Sequence, residues 1–176
     1  IALPKDTPKS IFISSFDSNP LSPDYNFIMS GKYAEFNAGL EVLSKLTDGI
    51  VHLQTRNDAD KVFSEAKNVQ VNTVSGPHPA GNVGVQIHNI DTINKGEVVW
   101  YINPQDVMVI GRFSLTGAYD ASKVIAVGGS NINNAKYYKT ISGASISNMI
   151  SENSVINGNN RYISGNVLTG TKISSD

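Results

Sequence analysis

The residues best suited to chemistry lie in one stretch, Gly76-Pro77-His78-Pro79-Ala80-Gly81-Asn82-Val83-Gly84-Val85-Gln86-Ile87-His88. It follows a predicted strand and runs into a predicted helix, so its loop leaves the carboxyl end of a strand, where α/β sheets bind ligands. Glycines let backbone N–H groups approach an anion, and a helix start adds positive potential, so phosphate is the first ligand to consider. Three features oppose it: Gly-x-Gly-x-x-Gly is absent, no Walker lysine follows, and Pro77 and Pro79 remove two donors. His78 and His88 have no carboxylate or cysteine at metal-ligand spacing, so no metal site is expected. An imidazole titrates near neutral pH, so either histidine could carry a proton or donate to a ligand oxygen. The plainer account has them hydrogen-bonding their own loop and helix.

A second candidate loop is Asp17-Ser18-Asn19-Pro20, where Asp17 and Asn19 could hold a ligand at the end of the first strand. Asp, Asn and Pro are first of all turn formers, however. Catalytic residues are not expected: Gly-x-Ser-x-Gly is missing, the serines lack a matched base, and the absence of cysteine excludes thiol nucleophiles, thiolate ligands and disulfides. Trp100 and Tyr101 read as packing residues rather than a stacking platform. A net charge of −1 with scattered basic residues excludes the general attraction that nucleic-acid binding needs.

The elements that must position these residues follow from periodicity. Ile11 to Phe16 is a short apolar run closed by turn formers, a buried strand. From Lys32 to Leu46 the apolar spacing is helical, with Gly49 as a stop. Strands are predicted at 50–55, 69–74 and 98–102, and a short helix between 58 and 66. Asn103, Pro104 and Asp106 cap and open a helix over 104–116 that ends at Gly117. A strand at 123–127 closes at Gly128-Gly129. Strands alternating with helices predict an open, mostly parallel Rossmann-like sheet over residues 1–130. Beyond it, a strand at 137–141, a cap at 142–145, a short helix at 146–150 and an Asn-, Gly- and Ser-rich tail predict the start of a small α+β module over 131–176. No stretch reaches the roughly 18 apolar residues of a membrane span. The first residues show neither an initiator Met nor a signal-peptide pattern, as expected of a piece of a longer protein.

Several blocks together resemble the A subunit of the bacterial sodium-translocating NADH:quinone oxidoreductase. They are Asp17-Ser18-Asn19-Pro20-Leu21, Ala38-Gly39-Leu40-Glu41-Val42-Leu43, Gly76-Pro77-His78-Pro79-Ala80-Gly81 with Gly84 and Ile87-His88, and Trp100, Ile102-Asn103, Gln105-Asp106-Val107, Gly111 and Leu115-Thr116-Gly117. Gly143-Ala144-Ser145 and Ile163 to Lys172 extend the likeness. The chain departs from the pattern at Val85 and Gln86, where that family more often has a threonine and a further histidine.

The resemblance implies the peripheral, cytoplasm-facing part of an inner-membrane complex that passes electrons from NADH to ubiquinone and exports sodium ions. It also implies a fold like that of the flavoprotein subunit of respiratory complex I, with a Rossmann-like domain followed by a β-grasp-like module. The expected partners are the other subunits of the complex, its membrane-embedded B subunit above all, with quinone as a ligand. No cofactor is expected in this chain, the flavins and iron-sulfur centres belonging to other subunits. The expected role is assembly and the quinone side of the path. The alternative is a flavin- or nucleotide-binding redox domain acting directly in hydride transfer.

Overall fold

The computed structural model describes residues 2–152 and 160–174. Two compact units result: the chain up to Ser18 with Asp24–Asp120, and Asn19–Pro23 with the chain from Ala121 onward.

The first unit is built on a parallel sheet of β1 (Ser10–Ser14), β2 (Ile50–Thr55), β3 (Gln70–Thr73) and β4 (Val99–Tyr101), in the order β3-β2-β1-β4. Strand β1 is buried at all five residues, which is the signature of a strand covered on both faces. Even-numbered positions face one helix, α4 (Val83–Ile90): Ser14 bonds Gln86, and the Phe12 and His52 rings lie 4.7 Å apart beside it. The pleat turns Ile11, Ile13, Val51 and Leu53 to the opposite face. That face belongs to α2 (Tyr33–Ser44), α3 (Lys61–Ser64) and α5 (Pro104–Thr116), whose Phe36, Leu40, Phe63 and Val107 are fully buried.

Helices α2 and α5 approach backbone to backbone. A Cβ at Gly39 would sit 2.1 Å from Val107 O, and one at Gly111 would sit 1.7 Å from Glu35 O. Helix α5 starts and stops where the sequence places it, with the Asn103 side chain accepting from Asp106 N and Gly117 left-handed at φ 72. Gly49 has a different role from the one predicted. Helix α2 ends at Ser44, and Gly49 is small because the start of β1 passes over it, Lys9 O lying 1.8 Å from where its Cβ would be. A further helix, α1 (Tyr25–Met29), is capped by Asp24 and has no counterpart in the sequence reading.

The strand predicted at 123–127 is present as β5 (Ser122–Val127), but it does not join the parallel sheet. It pairs antiparallel with β6 (Lys136–Ile141). The few residues between them hold no helix, and a parallel return needs a crossover of a dozen residues or more. The parallel sheet therefore ends at β4, and the sequence boundary at 130 falls after a strand that belongs to the second unit. That unit also contains α6 (Ser147–Glu152) and a hairpin of β7 (Tyr162–Ser164) with β8 (Thr171–Ile173), short strands inside what reads as a polar tail. The part of that tail at 153–159 lies outside the described residues. No helix among the described residues is long and apolar enough to cross a membrane.

Because the Gly111 Cβ would meet backbone, which cannot rotate away, Gly111→Ala is expected to destabilise the chain by about 2 kcal/mol or more. Gly128→Ala, with its nearest atom at an ordinary 3.7 Å, should leave the urea midpoint close to that of the parent.

Candidate functional site

The chain leaves β1 in one direction to β2 and β3, and then places β4 on the other side of β1. The crevice outside the carboxyl ends of β1 and β4 is thus the topological switch point, where sheets of this kind bind ligands. The Asp17 loop opens there directly. The Gly76 to Gly81 loop starts two strands away at β3, yet it folds back over β2 to reach the same place.

Ser18 joins the two loops. Its Oγ accepts from Gly81 N at 2.9 Å and lies 3.0 Å from His78 Nδ1. Gly81 has to be glycine, since its Cβ would stand 2.3 Å from Ser18 N. Arg56, at the end of β2, completes the seam: its guanidinium carbon lies 4.5 Å over the Phe16 ring, and Nη2 donates to Gly76 O at 3.3 Å. Gly76, His78 and Gly81 are therefore brought against the β1 loop. His88 is not, because it occupies the last turn of α4, at the far end of the helix from the loop. Asn19 sits in the 19–23 segment, where its carbonyl accepts from Ser22 N at 3.3 Å, a turn role. Ser18 and Arg56 were missed in the sequence, because a serine inside a turn cluster and a lone arginine after a strand carry no motif.

The loop has the composition of an anion cradle, but four of its N–H groups are taken within the chain. Ala80 N donates to Pro77 O, Asn82 N to Pro79 O, Gly81 N to Ser18 Oγ and Gly84 N to the Asn82 side chain. Pro77 and Pro79 have no N–H to give. At the switch point itself the field is negative. Burial, and then the neighbouring Tyr101, Asp17 and Asp106, push the Tyr25 hydroxyl up to about 12, and burial with the same two carboxylates raises Tyr101. The start of α5 is already served by the Asn103 cap and Asp106, which bond each other. A phosphate would meet carboxylates here rather than open N–H groups.

The other end of α4 is clamped. Asp91, just past its last turn, takes Lys9 Nζ at 2.6 Å and Ser10 Oγ at 2.7 Å, while Lys9 also reaches Glu97 at 3.1 Å. Those contacts raise Lys9 and hold both carboxyls below their usual range, chiefly through the Lys9 bond for Asp91 and the Asn94 backbone bond for Glu97. With its C-terminal end tied to the start of β1, α4 aims its N-terminal loop along β1 toward the carboxyl edge. No three His, Asp or Glu residues group as a metal site among the described residues.

Fold and site define a parallel α/β domain whose carboxyl edge is closed by its own loops, followed by a small antiparallel module. Residues 1–119 match the family described as the NqrA second alpha/beta domain, and residues 124–175 match the NQRA C-terminal domain. The chain belongs to the NqrA family. It is 41% identical, over 94% of its length and 37% of the relative's, to the A subunit of the Na(+)-translocating NADH-quinone reductase of Pasteurella multocida (strain Pm70). The A subunit of the same reductase from Neisseria meningitidis serogroup B (strain ATCC BAA-335 / MC58) is 39% identical over 93% of the chain and 36% of the relative. The chain thus spans little more than a third of the curated relatives it matches. Among solved structures, an NAD+-reducing [NiFe]-hydrogenase in the air-oxidized state superposes with a TM-score of 0.59 at 10% identity, covering 89% of this chain and 34% of that one. That likeness concerns the fold alone.

Ser18→Ala removes the two contacts that Ser18 makes with the loop, to Gly81 N and His78. Gly81 N–H, now bonded to Ser18 Oγ, should exchange with solvent faster by about tenfold, for a bond worth roughly 1 kcal/mol or somewhat more, while exchange in β1 and β2 stays as in the parent. Unchanged exchange at Gly81 would show that the loop does not depend on Ser18.

Proposed function

We propose that this chain is the part of an A subunit that helps build the quinone side of a sodium-translocating NADH:quinone oxidoreductase, without a flavin of its own. The subunit role rests on family membership and on the names of the relatives. The observation that carries the non-flavin role is the carboxyl edge: its loop N–H groups at 80, 81, 82 and 84 already have acceptors in the chain, and Asp17 and Asp106 colour the crevice negative. A flavin or dinucleotide phosphate finds those four donors taken and two carboxylates beside the crevice. A neutral quinone makes no such demand. In this reading the chain works at the cytoplasmic face of the membrane as a peripheral part of the complex, in contact with the membrane-embedded B subunit. The stiff His78 loop is the edge turned toward quinone or partner. Two prolines and the Ser18 and Arg56 contacts leave it little conformational entropy to lose on contact.

Two measurements test this. The purified chain is expected to show no visible flavin absorption, and a stoichiometric flavin spectrum would overturn the non-flavin role. In the complete complex, His78→Ala is expected to lower quinone reduction with the thermal stability of the complex unchanged. Parent-like activity would leave the loop a structural turn.

A further inference from the structure

The parallel sheet ends in β3 on one side and β4 on the other, and the two edges are not alike. Strand β4 is three residues long, with Glu97 shortly before it and Pro104 shortly after, the devices that blunt a sheet edge. Strand β3 has neither. From Val69 to Ser75 the chain carries no charge and no proline, and Gln70, Val71 and Thr73 are exposed. An edge left unguarded in this way is a template for another strand.

The register shows which backbone groups are on offer. Val74 N donates to Thr55 O at 2.8 Å, and along a strand the N–H and C=O of alternate residues point to the same side. Asn72 therefore bonds β2, whereas the N–H and C=O of Val71 and Thr73 point outward. No strand among the described residues pairs with that side. A groove of about 640 Å³ lies against it, lined by Val71 to Ser75, Ala80 and the Val85, Gln86, Asn89 and Ile90 face of α4. Successive strand residues face opposite sides of a sheet, so a groove touching five in a row follows the strand itself. A strand edge on one wall and a helix on the other is a layout that suits strand addition.

The walls set the chemistry of the occupant. The donor and acceptor pairs of Val71 and Thr73 recur at every second residue, roughly 6.6 Å apart, a repeat that an extended backbone matches. No lining side chain is charged, so a charged one would enter without a counter-charge. Val74, Val85 and Ile90 offer apolar contact. A second copy of β3 fits less well, because an antiparallel pair that sets Val71 against Thr73 also sets the polar Gln70 against Val74.

We propose that the groove between β3 and α4 receives an extended, uncharged peptide segment of a partner protein, which adds to the four-stranded sheet beside β3. Its backbone bonds Val71 and Thr73, and its apolar side chains on the α4 side meet Val74, Val85 and Ile90. This edge is distinct from the carboxyl-edge crevice and does not rest on the quinone reading.

The probe is a blocked heptapeptide of alternating valine and threonine, titrated into the isotopically labelled 176-residue chain while backbone amide signals are followed. The Val71 and Thr73 signals should shift saturably, and both amides should exchange with solvent about tenfold more slowly in the complex, with β1 as in the free chain. The same peptide N-methylated at every residue loses its donors, and one with lysine in place of valine brings charge. Each should bind at least about tenfold more weakly. Thr73→Pro removes an outward donor and sets a ring in the path of the added strand without removing a β2 bond, so peptide binding should be lost with the melting temperature retained. Val85→Lys alters the helix wall and leaves the strand backbone as it is, and should weaken the valine peptide about tenfold. The proposal is overturned if Val71 and Thr73 do not respond to the peptide, if the N-methylated peptide binds as well, or if both variants bind like the parent. It is also overturned if the free chain dimerises with Val71 and Thr73 protected, which would make this edge an interface between copies.

Discussion

Strand β1 has no free side, and the arrangement of the first unit follows from that. It is hydrogen-bonded by β2 on one edge and β4 on the other, and covered on both faces. Its odd positions, Ile11 and Ile13, are fully buried and demand an apolar cover, which α2 and α5 provide by meeting at Gly39 and Gly111. Its even positions alternate serine with phenylalanine, and they demand hydrogen-bond partners. Ser10 finds Asp91, just past the end of α4, and Ser14 finds Gln86, in its first half. The helix lies where two serines four residues apart on the strand can both be satisfied. Its loop consequently projects at the carboxyl end of β1 and not of β3, from which it comes.

That geometry explains why a glycine-rich loop after a strand need not be a phosphate loop. Composition counts the donors a loop could offer, whereas binding depends on the donors left over. Here the excursion across β2 takes up three of them, because the loop is pinned at its far end by Ser18 and turned tightly enough that Ala80 and Asn82 bond the two proline carbonyls. The same contacts make the loop stiff. A loop of this kind holds His78 at a fixed place and has fewer donors left for an anion.

Much of the first unit was legible in the sequence, and particular residues show why. Asn103, Pro104 and Gly117 mark α5 because capping is local chemistry, settled within a turn of helix. Strand β1 was readable from its apolar run and β2 from alternation at period two, although β2 is buried at five of its six residues. Gly49 was misread because a glycine after a helix looks the same whether it ends the helix or lets another strand pass, and the passing strand is forty residues earlier in the chain. Strand β5 was found but misassigned, since pairing partners depend on the connection and not on the strand. The candidate loops at 17–19 and 76–81 were each visible, yet their meeting at Ser18 was not. Nothing within either loop encodes a contact made by folding over β2.

The second layer of that difficulty is Gln86. A glutamine flanked by Val85 and Ile87 on a helix ordinarily reads as its solvent face, with the apolar neighbours turned inward. In this helix the order is reversed, because the strand position beneath is Ser14, whose hydroxyl takes the Gln86 amide. The apolar residues of α4 are left partly exposed in consequence, Val85 at 36%. Polar matching across the sheet has outweighed the burial of a few aliphatic side chains, each worth roughly 1.5–3 kcal/mol if fully buried. That is the expected outcome when the alternative is several unmatched polar atoms at a similar cost apiece. The matching is nonetheless incomplete on both faces of the sheet: the Gln54 amide and Gln86 Oε1 have no partner in the protein, and neither has Trp100 Nε1, whose position is in register with Ile11.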